Sequence, residues 1–529
     1  MLQKYIIHPF LIAIYSILAL LATNYDQVPP TFLIRPLIVC ICLAGVILFI
    51  IEIIVRDWGL AGFISFFFLT IGLNYSDFSV QIEKSNLAKI SFVMIIICLA
   101  IIITTFILNR FIWNKLSEKF RITKLLNYAS IFLLIFPSYL LLKSIITNAR
   151  DSIVLEKFRP YQNINVRLSK KVVDPDIYYI IVDGYGRNDV LNEIYRFDNT
   201  PFLSHLQAKG FFVADRSHCN YIQTSLSISS SLNMSYLDNI AVLLGEKSTN
   251  RVPLRKIMRE SIVIQSLLNI GYKFVAFNSG YIPTNFDNAD IYLSPFSNLR
   301  INEFEGLLLY KSALSFILGK NPEIPVFGYQ SQREITLFNL GELGKTSDLP
   351  GPKFVFVHVM LPHPPFIFNR HGQFVEHDKG FTLKDAGDFV GTQQEYVSGY
   401  TEQVLFLNSQ LEKAIDAIIS SSAHPPVIII QGDHGPGALF RFVYSENTCF
   451  KERTSILNAY YLPGVSQEKL YPDITPVNTF RLIFNEYFDA HLDLLPDNVL
   501  YSEWEAPFKF IDITGNGSDA AVCVGQNHK

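Results

Sequence analysis

Five apolar stretches, near residues 6–23, 33–55, 58–75, 90–112 and 126–147, constrain this chain more than any other feature. Each approaches or exceeds the roughly 20 residues that a helix needs to cross the hydrocarbon core of a bilayer. A helix packed into a soluble core carries polar residues every third or fourth position, and the run "SFVMIIICLAIIITTFILN" has no such polar face. The first stretch lacks a small-x-small cleavage site and four more follow it, which disfavours a signal peptide. The third, "WGLAGFISFFFLTIGLNY", is the shortest. Residues 1–150 therefore read as a bundle of about five transmembrane helices.

Orientation follows from the flanking cations, because Lys and Arg concentrate on the cytoplasmic side. Arg110, Lys115, Lys119, Arg121 and Lys124 lie between the fourth and fifth stretches, and Lys4 and Arg56 fall on the same side. The opposite loops carry Arg35, Lys84 and Lys89. Seven against three places the N-terminus in the cytoplasm, and an odd number of spans places everything after residue 150 outside it. Loss of the third span would reverse this. The basic 110–124 loop also reads as a lipid-binding patch, a reading that needs a partner the charge bias does not.

The rest of the chain has a different character. Half of its 529 residues are hydrophobic and mean hydropathy is +0.26, high for a wholly soluble protein, yet 170–515 reads as ordinary globular sequence. A net charge of −3 gives no reason to expect nucleic-acid binding. Residues 151–175 are polar and unpatterned and read as a juxtamembrane connector, 176–515 as an extracytoplasmic domain and 516–529 as a tail. Cys40, Cys42 and Cys98 fall within apolar stretches. Cys219, Cys449 and Cys523 show no metal-binding spacing, and one disulfide among the three is left open.

Within 176–515, short apolar runs end in turn-forming residues: "DIYYIIVDGYGR", "YKFVAFNSG", "KFVFVHVMLPHPPF", "PVIIIQGDHGPG" and "SILNAYYLPG". Stretches of helical period separate them, as in 394–420. Strands alternating with helices predict an α/β domain, a mainly parallel sheet covered by helices on both faces. Ligands of such sheets bind beyond the carboxyl ends of the strands, where Asp183, His363, Asp433 and His434 fall.

The sharpest local signal is "IIIQGDHGPG". Adjacent strand residues point to opposite faces, so Asp433 and His434 reach one ion only if the chain turns, which Gly432 and Gly435 would permit. A loop Asp capping a helix beside a surface His is the competing reading. Asp183 adds a carboxylate, or else is a turn residue of "DGYG". Asp, Asp and His suit Mn²⁺, Zn²⁺ or Mg²⁺. "NYIQTSLSISSSLN" at 220–233 reads as a hydroxyl-rich helix start, offering N–H groups to an anion and a Thr or Ser nucleophile. Alone, it more often packs small residues against a sheet. His358 and His363 border a strand end and could contact a phosphate or a second ion. A lone His358 reads more readily as a core histidine, whereas His363, between prolines, has less reason to be buried.

Together and in this order, these elements resemble the alkaline phosphatase/sulfatase superfamily, in particular its membrane-anchored branch of lipoteichoic acid synthase and lipid A phosphoethanolamine transferases. That branch also joins five N-terminal spans to an extracytoplasmic sulfatase-like domain. The resemblance implies that Asp183, Thr224, Asp433 and His434 hold a divalent metal and that Thr224 forms the covalent intermediate, with Ser225 adjoining it. His358 and His363 match the "HxxxxHxP" segment, whose second histidine contacts substrate phosphate. Sulfatases that use formylglycine carry Cys- or Ser-x-Pro-x-Arg, and neither Cys219 nor any serine here fits that pattern.

The function so implied is transfer of a phospholipid-derived phosphoglycerol or phosphoethanolamine group onto an envelope glycan or glycolipid, at the plasma or inner membrane. Hydrolysis of phosphate or sulfate esters at the same site is the alternative. A non-catalytic envelope scaffold would be expected to lack a metal ligand, and none is visibly missing.

Overall fold

The computed structural model describes residues 5–25, 30–75, 116–158, 166–169, 174–296, 303–314, 328–377, 381–443, 448–515 and 523. Two compact units emerge, one of Met1–Ala149 with Leu299–Phe327, the other of Arg150–Asn298 with Gly328–Lys529.

The first unit holds α1 (His8–Ala22), α2 (Ile34–Val55), α3 (Trp58–Leu73) and, as far as Ala149, α4 (Leu116–Phe158), and these coincide with four of the five expected spans. The remaining one, 90–112, lies outside the described residues. By length and composition, α2 and the Arg121–Ile153 part of α4 can cross a membrane, whereas α1 and α3 are shorter apolar helices. The third stretch begins at Trp58 because Asp57 caps it, accepting from the Leu60 amide at 3.0 Å. Ile38, Phe49 and Ile54 on α2, and Phe132 and Phe136 on α4, are exposed. Such surfaces suit a hydrocarbon solvent, which demands only that backbone polar groups be paired internally. One buried polar pair links α1 to α4: His8 Nδ1 and Asn127 Oδ1 are 2.9 Å apart, and Asn127 Nδ2 donates to the Tyr5 carbonyl at 2.8 Å.

Two boundaries differ from expectation. Helix α4 continues to Phe158, into the segment read as an unpatterned connector. Residues Leu299–Phe327 group with the first unit, although they interrupt the sequence of the second. Their attachment is polar: Arg35 forms a salt bridge with Glu305, and the Ala313 amide donates to the Gly72 carbonyl at 2.6 Å.

The main sheet of the second unit has seven strands: β1 (Ile177–Val182), β2 (Phe212–Val213), β3 (Lys273–Phe277), β4 (Ile291–Leu293), β5 (Lys353–Val359), β6 (Val427–Gly432) and β7 (Asn458–Tyr461). Their order is β2-β7-β6-β1-β5-β3-β4. The run from β6 to β4 is parallel, while β7 and β2 form an antiparallel edge, so the expected mainly parallel sheet is mixed at one side.

Strand alternation sorts the core. Tyr178, Ile180, Val182, Val355 and Val357 face one layer, packed against the helix Gln393–Ser421. Ile177, Tyr179, Ile181, Phe354 and Phe356 face the other, packed against α5 (Thr224–Asn233) and the helix Pro476–Phe488. Both faces are dry, which is why β1 reads "IYYIIV" without a polar position. Cys449 and Cys523 form a disulfide, resolving the open pairing, and Cys219 is buried and free.

Candidate functional site

Residues from the ends of three neighbouring parallel strands meet beyond the sheet. Asp183 follows β1, His358 is the penultimate residue of β5, and Asp433 and His434 follow β6. The register aligns Val182 with Val359 on one side and with Gly432 on the other, so the three chains leave the sheet at one level. The Gly184 amide donates to Asp433 Oδ1 at 3.0 Å and ties two of the loops together.

His434 Nδ1 donates to the Gly435 carbonyl at 2.9 Å, which leaves Nε2 with its lone pair. That nitrogen lies 3.5 Å from Asp183 Oδ1 and 3.4 Å from Asp433 Oδ2. Both oxygens are buried and neither has a hydrogen-bond partner. Three lone-pair atoms of Asp183, Asp433 and His434 thus converge within 4.8 Å of one another. Unmatched buried acceptors are costly, and a divalent cation is the group that matches all three at once. The residues fit a metal, and a carboxylate–carboxylate–imidazole set accepts Zn²⁺, Mn²⁺ or Mg²⁺.

Electrostatics agree with a charged carboxylate. Burial alone raises the Asp183 pKa, but the charge of His363, contact with His358 and the charge of His434 outweigh it and hold the carboxyl well below the usual range. His434 is lowered, first by burial and then by Arg453, against the opposing pull of Asp433, Asp183 and Asp385. Both directions favour the deprotonated forms that bind metals.

Thr224 opens α5, and its Oγ1 lies 3.2 Å from His434 Nε2. From Cys219 to Met234 it is the sole residue that is not buried. Its predecessor Gln223 occupies the cap position without a side-chain cap; that side chain instead donates to Ser502 Oγ at 3.0 Å. The helix therefore presents its N-terminal dipole end beside Thr224. The serines behind it serve packing and positioning, as Ser231 bonds Tyr179 at 2.7 Å. Ser225 is buried, whereas Thr224 Oγ1 lies beside the candidate metal-binding nitrogen of His434.

His358 is fully buried, with Nδ1 2.9 Å from Thr284 Oγ1. Its Nε2 lies 3.2 Å from Asp183 Oδ2 without the alignment of a hydrogen bond. His363 departs from expectation because it too is buried. Its amide donates to the Asp183 carbonyl at 3.0 Å, and Gln403 Nε2 holds its carbonyl at 3.3 Å. Its ring centre is 6.3 Å from that of His434, and its Nε2 is 3.8 Å from Asp385 Oδ2.

Two further residues border the site. Asp385 and Arg453 are buried and paired at 2.5 Å, and Arg453 Nη2 lies 3.2 Å from His434 Nε2. Burial raises Asp385, but Arg453 and then His363 hold it at about 2. Neither stands in a recognisable motif. "KDAGD" reads as a loop and "KERTS" as a polar lead-in to a strand, so only their meeting across 68 residues reveals them.

Gly432 and Gly435 earn their places differently from the turn first assigned to them. Neither has a positive φ. A Cβ on Gly432 would sit 2.7 Å from the Tyr185 carbonyl oxygen, and one on Gly435 2.1 Å from that of Glu452. Close backbone approach is what these positions require.

The family model described as Sulfatase matches residues 175–480, more than half of the chain. The chain belongs to the sulfatase family. No curated protein matches it. Among solved structures, this sulfatase-family chain is similar to the C-terminal periplasmic domain of EcEptC from Escherichia coli in complex with Zn. Identity is 13%, coverage 68% of this chain and 98% of that one, and the TM-score 0.43. It is similar to the integral membrane lipooligosaccharide phosphoethanolamine transferase A (EptA) from Neisseria meningitidis, at 12% identity, 92% and 95% coverage and TM-score 0.39. It is also similar to BT1596, a 2-O GAG sulfatase, at 13% identity, 61% and 72% coverage and TM-score 0.39. Likenesses this distant carry no functional weight, which rests on the family match and the site.

Proposed function

We propose that this sulfatase-family protein is a membrane-anchored, metal-dependent phosphotransferase. In this reading the five apolar stretches are five spans, the catalytic unit faces outward from the plasma or inner membrane, and Thr224 is the nucleophile. The observation that carries the reading is Thr224 Oγ1, accessible at an uncapped helix N-terminus and 3.2 Å from the metal-binding nitrogen of His434. The missing Cys/Ser-x-Pro-x-Arg segment argues against formylglycine sulfatase chemistry, and a threonine needs no such conversion.

A divalent ion bound by Asp183, Asp433 and His434 would lower the pKa of the Thr224 hydroxyl and offset charge on the phosphoryl oxygens. Thr224 Oγ1 attacks the phosphorus of a phospholipid head group as the P–O bond to diacylglycerol breaks, and the proton lost by the threonine hydroxyl ends on the departing diacylglycerol oxygen. Phosphoglycerol or phosphoethanolamine is then esterified to Thr224. A hydroxyl of an envelope glycan or glycolipid attacks the same phosphorus and releases the threonine. The α5 N-terminus and His363 stabilise the anionic oxygens, while Thr284 fixes the ring of His358. Donor and acceptor classes follow from the membrane anchor and from the resemblance drawn above.

The test is full-length protein incubated with head-group-labelled phospholipid, followed by mass spectrometry of the 220–233 peptide. An adduct on Thr224, whose mass names the group, is expected; an adduct on Ser225, or none, sinks this assignment. The family match itself favours a second reading, hydrolysis with water as acceptor. Label released equally with and without membrane glycan would select it.

A further inference from the structure

Arg453 has no part in the chemistry above, yet it is buried against the site with a side chain 3% exposed. A buried guanidinium is costly unless its five N–H groups are matched. Nε donates to the Ile222 carbonyl at 3.2 Å, two residues before Thr224. Nη1 donates to Asp385 Oδ2 at 2.5 Å and to the Gly435 carbonyl at 3.2 Å. The guanidinium also lies 5.5 Å and 5.4 Å from the ring centres of Phe440 and Phe442. These contacts fix its plane and direction.

Nη2 carries the remaining two N–H groups, and its protein partner is His434 Nε2 at 3.2 Å. That is the lone pair assigned to the metal. One lone pair cannot serve both a cation and an N–H donor. With metal bound, the Nη2 donor now on that nitrogen loses its acceptor, and Thr224 Oγ1 lies 3.2 Å from the same nitrogen.

We propose that Arg453 is a catalytic residue whose Nη2 donates to a non-bridging oxygen of the tetrahedral anion at Thr224, in place of a second metal ion. Asp385 and His363 form the carboxylate–imidazole pair next to the first metal group, but Asp385 Oδ2 is already committed to Arg453. Among the described residues, Asp183, Asp433 and His434 form the one group able to hold an ion. Asp385 partly neutralises the guanidinium, so Arg453 contributes directed donors more than net charge. The inference rests on the proposed metal and anion site, and holds whichever hydroxyl is the nucleophile.

The experiment uses full-length protein in detergent, loaded with zinc. Metal content is measured by mass spectrometry and inorganic phosphate binding by calorimetry. Wild type should hold one zinc per chain. Arg453→Lys should keep that zinc at unchanged affinity and bind phosphate on the order of 10- to 100-fold more weakly, since one ammonium cannot serve Asp385 and the anion together. The double variant Asp385→Asn/Arg453→Met removes the ion pair as a unit, leaving no lone buried charge, and should show the same split. Two zinc ions per wild-type chain, or wild-type phosphate affinity in Arg453→Lys, overturns the proposal and leaves the metal site standing. Loss of zinc in both variants makes Arg453 a scaffold and also overturns it. Wild type that binds zinc but no phosphate overturns the anion site itself.

Discussion

Substituting Gly435 by alanine tests whether close backbone approach holds the site. The added Cβ would meet the carbonyl oxygens of Glu452 at 2.1 Å and Ser455 at 2.9 Å. A carbon–oxygen contact needs about 3.3 Å, so the overlap is roughly 1 Å. Both obstacles are backbone atoms, which cannot swing aside as a side chain would. The loop is pinned as well: the Gly435 amide donates to the Arg453 carbonyl at 2.7 Å. Overpacking of this kind costs about 1–3 kcal/mol, so the variant should fold with a lower melting temperature. The displacement falls on His434, one bond away. A shift of about 1 Å in a catalytic group costs on the order of 100-fold in rate. Zinc affinity, read by chelator competition on the full-length protein, should fall at least about 10-fold. Gly464→Ala is the control, because Gly464 has φ +83° with nothing within 4 Å of an added Cβ. It should lose stability through backbone strain and keep the site. Wild-type zinc affinity in Gly435→Ala would refute the reasoning.

Burial pushes the Glu452 carboxyl from 4.5 up to about 7, partly offset by its bond to Tyr195. The folded state then holds a proton that the unfolded state releases, so this contribution is complete below about pH 4.5. It is lost as pH rises through 7, by about 3 kcal/mol. Glu452→Gln should flatten that part of the melting-temperature profile, and an unchanged slope between pH 5 and 8 would count against it. Thr224→Ala should abolish head-group transfer while retaining zinc, and Ser225→Ala should stay active; the reverse pattern exchanges their roles. Chelation should lower the melting temperature by leaving the Asp183 and Asp433 oxygens unmatched. Asp183→Asn should shrink that drop, and an equal drop in both proteins would contradict the assigned ligands. Removing the Cys449–Cys523 disulfide opens a loop of 74 residues and should cost about 4 kcal/mol. A double Cys→Ala variant melting with wild type would refute this.

Much of the site could be read along the chain because each proposed metal ligand stands where a dry strand ends. Strands β1, β5 and β6 are buried on both faces, so a polar residue at their carboxyl ends is conspicuous. Asp183, Asp433 and His434 were therefore visible one strand at a time, and Thr224 stood out through the helix it opens. Asp385 and Arg453 carried no such contrast. Both lie in polar loop sequence, and what distinguishes them is burial, a property acquired only when distant segments close over them. The burial of His363 escaped prediction for the same reason: flanking prolines suggest an open loop, but hydrogen bonds to Asp183 and Gln403 fold it inward.

Periodicity and hydrophobicity are local, so they suffice for the apolar helices, the strand–helix alternation and the carboxyl-end placement of the site. Pairing is not local. Strand order, the antiparallel β7 edge, the choice of Cys449 with Cys523 and the grouping of Leu299–Phe327 with the N-terminal apolar helices each depend on which surfaces meet. The reason that Gly432 and Gly435 are glycines belongs to the same class. Locally they look like residues of a turn, and only the carbonyls of Tyr185 and Glu452, brought in from elsewhere in the chain, leave no room for a side chain.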